Sequence, residues 1–245
     1  MTQYPTLTKA PIQEGLIDLR LTFAAPPTQR ELDLVRLDLE KSYPESMPLQ
    51  AHSAEFRVDN EGISQQHKTL YRGLLLTSAS KTFVFQAQVD GFTLSHLRPY
   101  STWPEFVSEA RSLWKIYALH TKPLSVNRTA VRFINSFELP GPIANLKEFF
   151  SAPPELPENL PQGLSSYLVR YQIPDVESGA TVLLTQTMED AGNDRAAFVI
   201  DIDVFKTEEY DVATEGFWEF LELLRNLKNR VFFSSVTDRM VEHFR

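Results

Sequence analysis

The sequence predicts an α+β protein of two related halves, each an antiparallel sheet packed on a long helix in two layers, in a helix-grip-like arrangement. Three observations carry this. Apolar and polar residues alternate over several short runs, the period of strands with one face on a core. Two long segments instead space their apolar residues at helical period. And one strand–helix unit recurs at a shift of 115 positions: Phe83, Phe85, Ala87 and Val89 fall on Phe198, Ile200, Ile202 and Val204, while Trp103 falls on Trp218. Such a unit must bury its helix stripe on the apolar face of its sheet.

Taken in order, residues 1–13 hold Pro5 and Pro11 and read as an extended arm. Ile17, Leu19, Leu21 and Phe23 then alternate with Asp18, Arg20 and Thr22, a half-buried strand that Pro26 and Pro27 stop. Thr28 and Glu31 form a capping box for a helix with Leu32, Val35 and Leu39 in its stripe; Pro44 and Pro48 are its stop signals. Phe56 to Val58 reads as a short strand and Asn60-Glu61-Gly62 as a turn. Leu70–Thr77 and Phe83–Val89 read as a hairpin around Ser78-Ala79-Ser80, with Gln86 and Gln88 on the face away from the phenylalanines. Asp90-Gly91 turns into a strand over Phe92–Leu97.

The most strongly patterned stretch follows. Thr102 and Glu105 make a second capping box, with Pro104 in the first turn, where a missing N–H costs little. Trp103, Phe106, Val107, Ala110, Leu113, Trp114 and Tyr117 mark a wide apolar stripe, closed by Pro123. The next strand sets Val131, Phe133 and Phe137 on one face and Arg128, Arg132 and Ser136 on the other. Six prolines between 138 and 163, interrupted by Phe149 and Phe150, suggest a packed connector. The domain reading is therefore an N-terminal half over 1–140, a connector over 141–163 and a C-terminal half over 164–245. The latter has strands at Leu164–Ile173, Ala180–Met188 and after Asn193. Its helix, capped by Asp211 or Thr214, has Phe217, Phe220, Leu221, Leu224, Leu227 and Val231 in its stripe. Thr237 caps a short last helix with Met240, Val241 and Phe244 on one face.

The 245 residues suffice for a sizeable core, and 42% hydrophobic with 23% charged residues is a globular composition. A net charge of -8 argues against broad binding to nucleic acid or anionic membrane. The absence of cysteine excludes disulfides, thiol catalysis and thiolate metal sites. No signal peptide or membrane-spanning run is read, which leads to the expectation of a cytoplasmic protein. No GxGxxG, GxxxxGK[ST] or GxSxG motif occurs, and the five histidines form no HxH or HExxH spacing, so no cofactor is assigned.

Two polar constellations remain. Arg98, Arg128 and Arg132, taken together with Tyr100, form the candidate binding set. Guanidiniums gathered on one sheet face can hold a phosphate, a carboxylate or an acidic partner; the alternative is a set of surface salt bridges to the chain's many carboxylates, which are common and weak. Asp201 and Asp203 share a strand face and could hold a divalent metal, with Asp190 or Asp194 adding oxygen; a solvated polar face is the alternative.

The phrases YPTLTKAPIQEGLIDLR, LRPYSTWPEFVSEARSLWKIY, VRFINSFELP and LLRNLKNRVFFSSVTDRMVEHF, in this order over nearly the whole chain, resemble an uncharacterised, sporadically distributed bacterial protein family without an established activity. Phe133 stands where that resemblance leads one to expect Tyr. Sporadic distribution implies an accessory gene, as in phage defence or toxin–antitoxin modules. The leading functional expectation is a non-catalytic binding or regulatory protein that recognises a macromolecule, most simply another protein, with a homodimer left open. The alternatives are a small-ligand binder with a cavity between sheet and helix lined by Phe85, Trp114 and Tyr117, and a metal-dependent hydrolase built on Asp201 and Asp203.

Overall fold

The alternation in the first strand is kept residue by residue. In a computed structural model of the chain, residues 4–59, 62–141, 143, 145–214 and 216–245 are described (for 53–59 and 62–68 the backbone alone). Strand β1 (Ile12–Thr22) buries Ile17, Leu19 and Leu21 and turns Leu16, Asp18 and Arg20 to the opposite face. The chain continues with α1 (Gln29–Leu39), β2 (Glu45–Asp59), β3 (Gly62–Thr77), β4 (Phe83–Gln88), β5 (Gly91–Leu97), α2 (Trp103–Thr121) and β6 (Ser125–Pro140). After a 3₁₀ turn at Leu146–Glu148 come β7 (Tyr167–Asp175), β8 (Ala180–Gly192), β9 (Arg195–Lys206), β10 (Tyr210–Asp211), α3 (Gly216–Ser235) and α4 (Asp238–His243).

The strands form one antiparallel sheet in the order β2-β3-β4-β5-β1-β6-β9-β8-β7, with β10 on the end of β6. β1 lies in its middle, paired with β5 on one side and β6 on the other. One face of the sheet supplies Leu76, Phe85, Phe92, Leu94, Val131, Phe133, Ile200, Ile202 and Val204 to a single apolar core. The helices close that core from the same side with Leu32, Val35, Phe106, Trp114, Leu221 and Leu224. Trp114 is 3% exposed, its ring centroid 5.7 Å from Phe92, 5.3 Å from Phe217 and 6.4 Å from Trp218, so it joins β5, α2 and α3. Phe85 and Tyr117 lie in the same packed layer, 6.3 Å apart edge to face.

Local signals act where expected. The Thr28 N–H donates to the Glu31 carboxylate at 2.7 Å, and the Glu105 N–H donates to Thr102 Oγ1 at 3.3 Å. Phe150 of the connector is buried, its ring 5.1 Å from Phe198. Thr237 Oγ1 accepts from the Met240 N–H, and Met240, Val241 and Phe244 are buried on the chain's own core, with Phe244 5.2 Å from Phe137. The amino-terminal arm lies on this end: Tyr4 stacks on Phe233 at 4.6 Å, and the Lys9 N–H donates to the Phe244 carbonyl.

Three expectations need correction. Pro48 does not end a helix. α1 stops at Leu39, and Pro48 lies inside β2, an edge strand, where a missing N–H is tolerated. The short strand at Phe56–Val58 is part of this much longer β2, and β3 begins at Gly62, before Leu70; the polar run from Ser64 to Thr69 hid it. His96, which the sequence alone reads as an ordinary polar residue at a strand end, is 1% exposed, its ring centroid 4.3 Å from Phe83 and 4.6 Å from Tyr100. Asn60 and Glu61 of the predicted turn lie outside the described residues. Among the described residues no helix is long and apolar enough to cross a membrane.

Candidate functional site

On the face of the sheet away from the helices, the alternation of β1 sets Leu16, Asp18 and Arg20 in a row. Register then decides their neighbours. Asp18 is opposite Thr93 of β5 and Ala130 of β6, Arg20 is opposite Gly91 and Arg128, and Leu16 is opposite Ser95 and Arg132. On the next strand, β9, Asp203 is opposite Arg132. The small residues Gly91 and Ala130 leave space over the sheet into which the long side chains fold. The result is a polar cleft of about 300 Å³ lined by Asp18, Arg20, Gln88, Arg128, Arg132 and Asp203, among others.

Asp18 is its centre. Its Oδ1 accepts from Arg128 Nη1 at 2.8 Å and from Arg20 Nε at 3.2 Å; its Oδ2 accepts from Arg20 Nη2 at 3.0 Å and from Thr93 Oγ1 at 2.7 Å. Four bonds fill the lone-pair directions of a carboxylate. Arg128 extends the chain of charges to Asp203 Oδ2 at 3.4 Å and lies over the Phe205 ring at 4.5 Å. Arg132 grips Asp201 with two parallel bonds, Nε at 2.8 Å and Nη2 at 2.6 Å, the strong bidentate geometry of the pair. Arg20 Nη1 donates to Gln88 Oε1, and the Gln88 amide donates to Gln86 Oε1 and Thr93 Oγ1.

The side chains of Asp18, Asp201, Asp203 and Arg128 are 15%, 19%, 21% and 26% exposed, so the carboxylates and Arg128 are largely withdrawn from water, while Arg20 and Arg132 are 38% and 43% exposed. Burial holds the Asp203 carboxyl above the usual carboxylate range, against the pull of Arg128 and Arg132. The bonds to Asp201 strengthen the hold of Arg132 on its proton.

The structure divides the predicted set. Arg128 and Arg132 lie in the cleft, and so do Asp201 and Asp203. Arg98 does not join them: its guanidinium donates to the carbonyls of Ile12, Pro11 and Ser136, each at 3.3 Å, tying the start of β1 to β6. Tyr100 is on the helix side, its ring 5.4 Å from Phe133, and burial raises its pKa. Asp201 and Asp203 each have an arginine partner. Asp190, whose Oδ1 accepts the Gly192 N–H, and Asp194 lie toward the β8–β9 turn. Among the described residues no three His, Asp or Glu side chains gather as a metal site. Sequence reasoning missed Asp18, Arg20, Thr93 and the part played by Gln88. Their only signal was polar alternation in a strand, which a plain solvated face produces equally.

A larger hollow of about 960 Å³ lies between the connector and the β8–β9 turn, with Leu146, Leu156, Leu164 and Met188 in its wall. Two cations there are engaged, Lys147 with Glu155 and Arg195 with Glu138. Phe85, Trp114 and Tyr117 line neither hollow.

Compared with known proteins, the chain matches no family model, no curated protein and no solved structure.

Proposed function

We propose that this chain is a non-catalytic binding protein that recognises another protein through the cleft on the helix-free face. The observation that carries this is the closed bonding of the ladder: three arginines and three aspartates, Arg20, Arg128, Arg132 and Asp18, Asp201, Asp203, are equal in number, and every one of them is ion-paired within the set. Carboxylates so engaged are poorly placed to move protons, but they hold guanidiniums rigid. The N–H groups of Arg128 and Arg132 that the aspartates leave unused are then pre-set donors, which lowers the ordering cost of binding. The local charge is balanced and the chain is acidic overall, so recognition rests on directed hydrogen bonds to a partner of mixed charge, not on long-range attraction. An accessory role in phage defence or a toxin–antitoxin pair follows from the family resemblance alone.

The test is capture from the native host with the wild-type chain, Arg132→Ala and Arg128→Ala, followed by titration of the identified protein against each. A partner bound by the wild type and lost in both variants, with the fold kept by thermal melting, supports the reading. A partner held equally by all three sinks it. A small-ligand reading would draw on the larger hollow, whose volume suits a ligand pocket.

The pairing of the strands also bears on a duplication of the two halves. β5 precedes α2 and pairs with β1, β9 precedes α3 and pairs with β6, and β1 pairs with β6. This supports two helix-gripping halves related about the β1–β6 pair with β5 as the counterpart of β9, so the 115-residue shift that sets Phe83–Val89 on Phe198–Val204 matches strands that are not equivalent in this pairing. Superposing β1, β5 and α2 on β6, β9 and α3 checks it; helices crossing their strands in different directions would reject it.

A further inference from the structure

The two ends of the sheet are built differently. At one end, β2 carries Pro48 and a register break between Leu49 and Gln50, devices that spoil an edge for further pairing. At the other, β7 pairs with β8 over all of its 9 residues without a break. No strand covers its outer side among the described residues. Leu168 is 72% exposed, Tyr171 42%, Ile173 43%, and Val176, just past the strand, 94%. Tyr171 and Ile173 stand opposite Leu184 and Val182 of β8, which are buried. The core face of the sheet therefore continues onto the second half of β7, where Tyr171 and Ile173 are exposed.

Charge narrows the choice of what covers it. From Leu164 to Pro174 there is one cation, Arg170, and no acid, and the acids that follow, Asp175 and Glu177, are both paired with Arg230, in a chain of net charge -8. Two copies of an acidic chain repel over most of their surface, and this edge is exempt.

We propose that β7 pairs antiparallel with β7 of a second copy of this chain, about a two-fold axis at Gln172. A two-fold axis perpendicular to a sheet keeps each residue on its own face, so residues of like parity meet. With the axis at Gln172, Tyr171 meets Ile173 of the second copy, Leu168 meets Val176, and Gln172 meets its own counterpart. Residues of matched exposure thus cover one another, and aromatic with β-branched is a favourable cross-strand pair. An axis at Arg170 would set two guanidiniums face to face, and one at Tyr171 would set Val176 against Ser166. Arg170 meets Pro174 of the second copy, which has no N–H to give, so the ladder lacks a main-chain bond at this pair while the side chains beyond it still meet.

The chain has no cysteine, so a single introduced thiol reports the register. Under mild oxidation Gln172→Cys should link into a species of twice the 28.0 kDa chain mass, whereas Arg170→Cys, offset from its own counterpart, should not. Sedimentation should show a wild-type dimer. Leu168→Glu with Val176→Glu, both at exposed positions, should raise its dissociation constant roughly tenfold or more, with the melting temperature reporting the fold. A wild-type monomer at micromolar concentration overturns the proposal. So does a dimer untouched by the two glutamates, which puts the contact elsewhere, or a monomer whose β7 edge takes a strand of another protein.

Discussion

Arg20 and Arg128 stand directly opposite each other on neighbouring strands, and both guanidiniums close on the carboxylate of Asp18 between them. Like charges placed so are unfavourable on a sheet. Asp18, four times bonded and 15% exposed in its side chain, turns the clash into a bridge.

Asp18→Ala should therefore be costly, by roughly 2–4 kcal/mol, because it leaves two partly buried cations facing each other. In an Arg128→Ala background the same change should cost clearly less. A double-mutant cycle by urea unfolding measures the difference. Additive losses would show that the two side chains act separately.

The space into which Arg20 folds depends on Gly91. A Cβ at this position would lie 2.9 Å from the Leu19 carbonyl oxygen and 3.2 Å from Arg20 Nη1. Gly91→Ala should destabilise by about 1–3 kcal/mol and weaken partner binding at the cleft. Gly73→Ala should be worse still. There φ is +144, and the added Cβ would come within 2.2 Å of the Ala87 oxygen. Calorimetric melting of the two variants should rank them in that order.

Lys228 is 9% exposed, its amine 4.0 Å from the centre of the Phe133 ring. Burial, with help from the nearby Arg225, lowers its pKa to about 7. The unfolded chain then holds a proton that the folded chain has lost between about pH 7 and the ordinary lysine value. Stability should accordingly rise with pH through this window, and be lost as pH falls back toward 7, by an amount on the order of a few kcal/mol. Lys228→Met should flatten the slope between pH 7 and 9.5, measured by urea midpoints. An unchanged slope would mean that the amine keeps its proton in the fold.

The last helix is part of the core. Met240 is fully buried and Phe244 is 3% exposed. Truncation after Thr237 should lose roughly 1.5–3 kcal/mol for each buried side chain removed. It also removes the carbonyl that receives the Lys9 N–H. A melting temperature unchanged by truncation would place this helix outside the cooperative unit.

By itself, the sequence determined the elements whose period is set by neighbours a few residues away. Ile17-Leu19-Leu21, the Thr102 cap, the Trp103–Tyr117 stripe and the Thr237 cap are local patterns, and each appears where local physics put it. β2 escaped because an edge strand tolerates Pro48, and a proline read locally is a stop. The cleft was half legible. Arg128, Arg132, Asp201 and Asp203 could be seen as polar residues on strand faces, but not that each arginine would find an aspartate. Tertiary structure decided that. The register of β1 between β5 and β6 joins residues as distant as Asp18, Thr93 and Arg128, and a one-residue slip would turn every one of them to the other face. Arg98 and Tyr100, past the end of β5, went to backbone carbonyls and to the helix side, away from the set they were grouped with. Register is a property of the whole buried face, where apolar packing fixes which residues meet, and no short stretch of the chain contains it.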